Sequence, residues 1–297
     1  MKKSLSYQME YLFLNLLKEG FLKRVSRKQA LSFGSYLAKI LYTKTRAKRV
    51  SEENLKFVGF DISIGEKAFE NFVRCSVDFL RSEKYSFEFL DSIFSLREES
   101  TVSIEELNSL NGGILLTAHI GNWELLGGWF SRVSGGRLSV VAKPMRNRKV
   151  DSLINRIRSH LGVKVIPTGK PIEILKDLKK GKFVAILLDQ RPTEKEGVLL
   201  KFLGRDTYVN KGAAILSLKT GKPVIPAFCY VEGERYSFEI HKPIYPEGKT
   251  VEELTSIYSF WIERAVRKKP EQWFWIHRRW KNSPEFKRWK ESCQLSS

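Results

Sequence analysis

Cysteine is scarce in this chain: Cys75, Cys229 and Cys293 are the whole supply, and no two stand at C-x-x-C spacing. Three scattered thiols build neither a disulfide framework nor a thiolate zinc site, and they suit a reducing compartment. None of the four histidines falls in H-E-x-x-H, which removes one large class of zinc hydrolases. A G-x-S-x-G elbow is missing, and with it the α/β-hydrolase nucleophile. G-x-G-x-x-G is missing too, so nicotinamide dinucleotides find no cradle. Gly248-Lys249-Thr250 ends like a P-loop, but Pro243 occupies the place of its leading glycine.

Long apolar runs are also lacking. A membrane-spanning helix needs about 20 mostly apolar residues; the stretch between Lys3 and Lys18 is shorter and carries Glu10. No small-residue cleavage site follows it, so a secretory signal is not expected. Acid is the last shortage: 33 Asp and Glu face 52 Lys and Arg, a formal net charge of +19. Such a field draws anionic lipid surfaces, nucleic acid or acidic proteins. The basic residues run from Lys2 to Lys290, the pattern of a broad positive face rather than a basic tail. No helix-turn-helix or RNA-binding signature accompanies them, and no nucleic-acid partner is expected.

What is present suffices for a core: 42% of 297 residues are hydrophobic, with 19 Phe, 10 Tyr and 7 Trp. Residues 1–60 read as helices. Leu12, Phe13, Leu14, Leu16 and Leu17 form a greasy cluster bounded by Lys18, Lys23 and Arg24; a second, Leu31 to Tyr42, is cut by Lys39. Such faces suit helices lying in a membrane interface, and equally a helical hairpin packed on the core. Ser63 and Glu66 are spaced as a capping box before a helix over 64–82, and a helical stretch continues to about Ser95.

From about residue 100 the texture alternates. Strands are expected at Ile114–Ala118, Leu138–Ala142, Val163–Pro167, Phe183–Leu188, Val198–Leu203, Val224–Tyr230 and Tyr236–His241. Helices are expected at Trp123–Val133, Asp151–Leu161, Pro171–Lys180, Lys211–Thr220 and Val251–Lys268. The expected fold is α/β: a central, mostly parallel or mixed sheet flanked by helices and closed by a hairpin at Glu232-Gly233. A helical N-terminal extension (1–100) precedes the α/β domain (101–297). In open parallel sheets ligands bind beyond the carboxyl ends of the strands. Three expected strands end in polar residues: His119, Lys143-Pro144 and Asp189-Gln190-Arg191.

The stretch GGILLTAHIGNWELLGG, Gly112 to Gly128, reads as strand, tight turn and helix. A continuous helix would set His119 and Glu124 roughly 140° apart, so His119 must sit outside the helix for Glu124 to reach its ring. A neutral imidazole held by a carboxylate can take the proton of an attacking hydroxyl.

H-x4-E is the acid variant of the H-x4-D signature of glycerolipid acyltransferases. HIGNWE (119–124), KPMRN (143–147), RIRSHLGVKVIP (156–167), ILLDQR (186–191), KGAAILSLKTGKPVIPAF (211–228) and PEQWFWIHRRWK (270–281) resemble, in order and spacing, the late lipid A acyltransferases, the lauroyl and myristoyl transferases. That group's relatives include acyltransferases of phosphatidylinositol mannosides. The resemblance implies transfer of a fatty acyl group from acyl carrier protein, or from acyl-coenzyme A, to a hydroxyl of a membrane glycolipid. It implies an anionic membrane surface, at the cytoplasmic face of the inner membrane, as the workplace. A thioester is already activated, so no cofactor and no metal is expected. The family's roles fall on His119 as base, Glu124 as its partner, Arg158 in R-x3-G and Asp189 in the DQ segment, beside Gln190. Arg158 serves either the oxyanion or a substrate phosphate. Asp189 either pairs with an arginine or touches substrate. Lys143 and Arg146 bind phosphate or are surface charges, and Asn122 contributes to substrate binding or shapes the turn. Lys143 stands where the lipid A enzymes often have arginine, which leaves the acceptor open.

Overall fold

The computed structural model describes residues 2–295; Met1, Ser296 and Ser297, at the ends of the two expected domains, lie outside them. The chain opens with α1 (Lys2–Leu16), which passes through a π-helical stretch, Leu17–Leu22, to α2 (Arg27–Lys44). Ser26 caps α2 reciprocally with Gln29. α3 (Arg46–Val58) follows and stops at left-handed Gly59. α4 (Ile64–Arg81) is the helix expected over 64–82, but its expected capping box does not form. Ser63 itself is helical in backbone, which turns its hydroxyl away from the cap; Asp61 Oδ1 accepts the Ser63 N–H at 2.8 Å instead.

The stretch expected to stay helical to Ser95 divides into α5 (Phe87–Ile93) and a three-residue strand, β1 (Phe94–Leu96). After α6 (Ile104–Ser109) come β2 (Gly113–Thr117), α7 (Trp123–Val133), β3 (Leu138–Ala142), α8 (Arg148–His160), β4 (Lys164–Pro167), α9 (Pro171–Lys179) and β5 (Phe183–Leu187). Then follow β6 (Gly197–Phe202), β7 (Arg205–Asn210), α10 (Gly212–Thr220), β8 (Val224–Glu232), β9 (Arg235–Ile240), α11 (Val251–Lys268) and α12 (Pro284–Leu295). Seven strands form one sheet in the order β1-β9-β8-β2-β5-β3-β4. Every pairing is parallel except the β8–β9 hairpin, so the α/β sheet expected from the alternation is the one that forms.

The strand expected at Val198–Leu203 does not join it. Leu203 and Gly204 both have positive φ, the geometry of a tight hairpin turn, and β6 folds back antiparallel on β7 as a separate ribbon. β2 lies inside the sheet with all five residues buried, between β5 and β8. Its neighbours in one direction, β5 and then β3, run parallel to it, so the residues that follow all three gather at one edge.

The helical part packs on this sheet. One cluster joins Leu22, Ala30, Val77 and Leu80 to Leu115, Leu125, Phe183 and Ile225. α1 is different: Leu5, Met9, Leu12, Phe13 and Leu16 are 48–69% exposed. Its other side is tied to the start of α8, where the Asn147 amide donates to Tyr7 O and Glu10 Oε2, both at 2.8 Å. Among the described residues no helix is long and apolar enough to cross a membrane.

Candidate active site

The site begins where β2 runs out. Gly121 has φ +58, and a Cβ there would lie 2.5 Å from Cys229 O, so only glycine lets the chain turn against β8. Asn122 then caps α7, its Oδ1 accepting from Leu125 N–H at 3.1 Å. His119, between strand and turn, is tethered directly and through the turn: its carbonyl accepts from Phe274 N–H at 3.1 Å, and Gly121 N–H donates to Gln272 O at 3.3 Å.

The partner of the imidazole is Asp189, just beyond β5. His119 Nδ1 lies 2.8 Å from Asp189 Oδ1, and Oδ2 accepts from His119 N–H at 3.1 Å and from the Trp273 indole at 2.8 Å. Burial pushes the Asp189 carboxyl up, but the His119 charge, its ring bond and the Trp273 indole outweigh that and hold it below the usual carboxylate range. An ionised carboxylate at Nδ1 puts the neutral ring's proton there and leaves the Nε2 lone pair free. At present the Gln190 amide meets Nε2 at 3.2 Å.

The expected contact between Glu124 and this ring is absent. Glu124 in the first turn of α7 is taken by Arg158 of α8, Nε to Oε2 at 2.9 Å and Nη2 to Oε1 at 2.5 Å. Asp189 wins the ring because its strand is the immediate neighbour of β2, within reach of a short side chain. Arg158 Nη1 also donates to Asn155 Oδ1 at 3.0 Å. Burial works against the Arg158 charge, but Glu124 more than compensates and holds it above the ordinary arginine range. Three of the five guanidinium N–H groups are thus engaged, and the rest are free for a ligand.

His119, Glu124, Lys143, Arg158 and Gln190 all line one cavity of about 540 Å³. Much of its wall is apolar, including Leu115, Leu126, Trp129, Phe130, Val140 and Phe238. Two expected binding residues are elsewhere. Asn122 is buried, with its amide on Tyr236 Oη at 2.9 Å and Cys75 O at 3.4 Å. Arg146 is exposed and does not line the cavity.

Sequence reasoning missed the clamp from the C-terminal segment. Gln272 brackets β8, accepting from Val231 N–H at 2.7 Å and donating to Val231 O at 2.9 Å, while Trp273 seats Asp189. His277 Nε2 accepts from Arg191 N–H at 3.1 Å. Burial, helped by the charges of Arg279 and Arg191, takes His277 down to about 4 despite Asp189. Arg279 is buried with its guanidinium 5.2 Å from the Phe202 ring centroid. The available signal was the tryptophan density at Trp273, Trp275 and Trp280: a buried indole N–H usually finds an acceptor, as those of Trp273 and Trp275 do here.

The profile of the bacterial lipid A biosynthesis acyltransferases matches residues 3–282. The chain belongs to that family. Similar curated proteins are the phosphatidylinositol mannoside acyltransferases of Mycobacterium tuberculosis, 24% identical over 173 residues, 57% of this chain and 54% of the relative, and of Mycolicibacterium smegmatis, 24% identical over 178 residues, 59% and 58%. The chain thus spans little more than half the length of the curated relatives it matches. The family resemblance read from the motifs is therefore established at the level of the family.

Proposed function

We propose that the protein is a membrane-associated O-acyltransferase that moves a fatty acyl group from a thioester to a hydroxyl of a glycolipid. The observation that carries this is the His119–Asp189 pair, with His119 and Arg158 both lining a largely apolar cavity. The acyl chain occupies the cavity and leaves its thioester carbonyl at the mouth. The acceptor hydroxyl displaces Gln190 and gives its proton to His119 Nε2 as its oxygen bonds to the carbonyl carbon. Asp189 stabilises the imidazolium that results. Arg158, oriented by Glu124, faces the oxyanion of the tetrahedral intermediate. Collapse breaks the carbon–sulfur bond; the thiolate takes the proton from Nε2, and ester and thiol leave.

The names of the relatives favour a sugar-bearing lipid, of lipid A or phosphatidylinositol mannoside type. The donor is acyl carrier protein, with acyl-coenzyme A as the alternative. The workplace is the cytoplasmic face of the inner membrane, reached by the exposed apolar side of α1. Purified protein should be offered both donors with each glycolipid, and the products weighed by mass spectrometry. The expected result is one added acyl ester, lost in His119→Ala. Free fatty acid without acylated lipid would replace this reading with thioester hydrolysis.

A further inference from the structure

Asp78 on α4 is a fully buried carboxylate that the reaction does not use. Its oxygens collect Arg27 Nε at 3.0 and 3.1 Å, Arg27 Nη2 at 2.7 Å, the Tyr236 hydroxyl at 2.6 Å and the Tyr85 hydroxyl. A charge out of water is tolerable only with such a set of donors. Burial, and after it the Asp78 charge, keeps the Tyr236 hydroxyl protonated well above the usual range. Its hydrogen therefore points at Asp78, and its oxygen is left to accept.

What it accepts is the Asn122 amide, at 2.9 Å. An asparagine cap has two ends of nearly equal shape, and only the carbonyl end caps a helix. An acceptor fixed opposite the amide nitrogen decides which end faces α7. Tyr236 is the nearer of two such acceptors, the other being Cys75 O at 3.4 Å, and Asp78 aims it. The cap so fixed stands three residues after His119 and two before Glu124, whose carboxylate holds Arg158.

We propose that Asp78 and Tyr236 are positioning residues: through Asn122 they set the first turn of α7, and with it the Glu124–Arg158 pair against His119. The N-terminal helices α2 and α4, which supply Arg27 and Asp78, are then part of the catalytic apparatus. The kinetic half of this inference rests on the acyl-transfer reading; the structural half does not.

Tyr236→Phe removes one hydroxyl and leaves the ring in place. At a temperature well below its Tm it should lower kcat about tenfold, with the donor KM changed less than threefold. Amide exchange at Leu125 should quicken at least tenfold while β5 is unaffected. Asp78→Asn should reproduce both changes. In an Asn122→Ala background, Tyr236→Phe should cost no further kcat, since both act through one cap. Additive losses, or a kcat within twofold of the wild type, overturn the inference, as does unchanged exchange at Leu125. A wild type with no transferase activity sinks the acyl-transfer reading instead, and exchange at Leu125 still decides the linkage.

Discussion

Asp189 accepts two donors on Oδ2, the His119 N–H and the Trp273 indole, and one group on Oδ1, the imidazole. Asparagine in its place must give its oxygen to the two donors, which turns its NH₂ toward Nδ1. The ring then carries its proton on Nε2, the wrong nitrogen for a base. Asp189→Asn should therefore fold normally yet lose roughly 10²–10⁴ of kcat, about what His119→Ala loses. Steady-state assays beside circular dichroism check this. A second titration bears on stability. His277 is held at about 4 in the fold against an ordinary 6.5. The unfolded chain therefore binds this proton first as pH falls, and stability drains away between 6.5 and 4. The full shift corresponds to about 3 kcal/mol. The fall in Tm across that window should be shallower in His277→Gln, whose amide oxygen can still accept from Arg191.

At the scale of elements, the turn between β2 and α7 is unforgiving. Gly121→Ala demands a left-handed alanine and drives its Cβ into Cys229 O. About 2 kcal/mol or more should be lost, a drop in Tm of roughly 5 °C, measurable by calorimetry. The elements were also where the sequence spoke most clearly. Trp123–Val133 and Val251–Lys268 fall where the periodicity puts them, because apolar spacing and caps agree there. β1 escaped notice because three residues show no alternation, and β6 was misplaced because a strand pattern does not name its partner. The site was half legible for a related reason. Parallel strand ends bring His119, Lys143 and Gln190 to one cavity, and that follows from alternation alone. The acid for His119 was sought five residues along the chain when it stood one strand away. Trp273, 84 residues beyond Asp189, carried only the tryptophan density around it, which does not name Asp189 as its acceptor.

For the molecule as a whole, charge and apolar surface act together. On the proposed membrane-associated reading, the +19 field draws the protein to anionic lipid and the exposed side of α1 inserts once there. Vesicle sedimentation should show both: binding to anionic vesicles persists at about 1 M salt, where the Debye length is only about 3 Å. Replacing Leu12 and Phe13, neither of which lines the cavity, by serine should abolish the salt-resistant part and spare the activity toward detergent-dispersed substrate.

The segment that seats Asp189 is also made after every strand of the main sheet. A polypeptide still on the ribosome can assemble every strand of its main sheet before Gln272 and Trp273 emerge. Until they do, the aspartate lacks its indole and the histidine its carbonyl tether, so the growing chain carries a formed sheet with the His119–Asp189 pair unfinished. On the proposed acyl-transfer reading, a thioester meets a competent imidazole only after synthesis has passed that point.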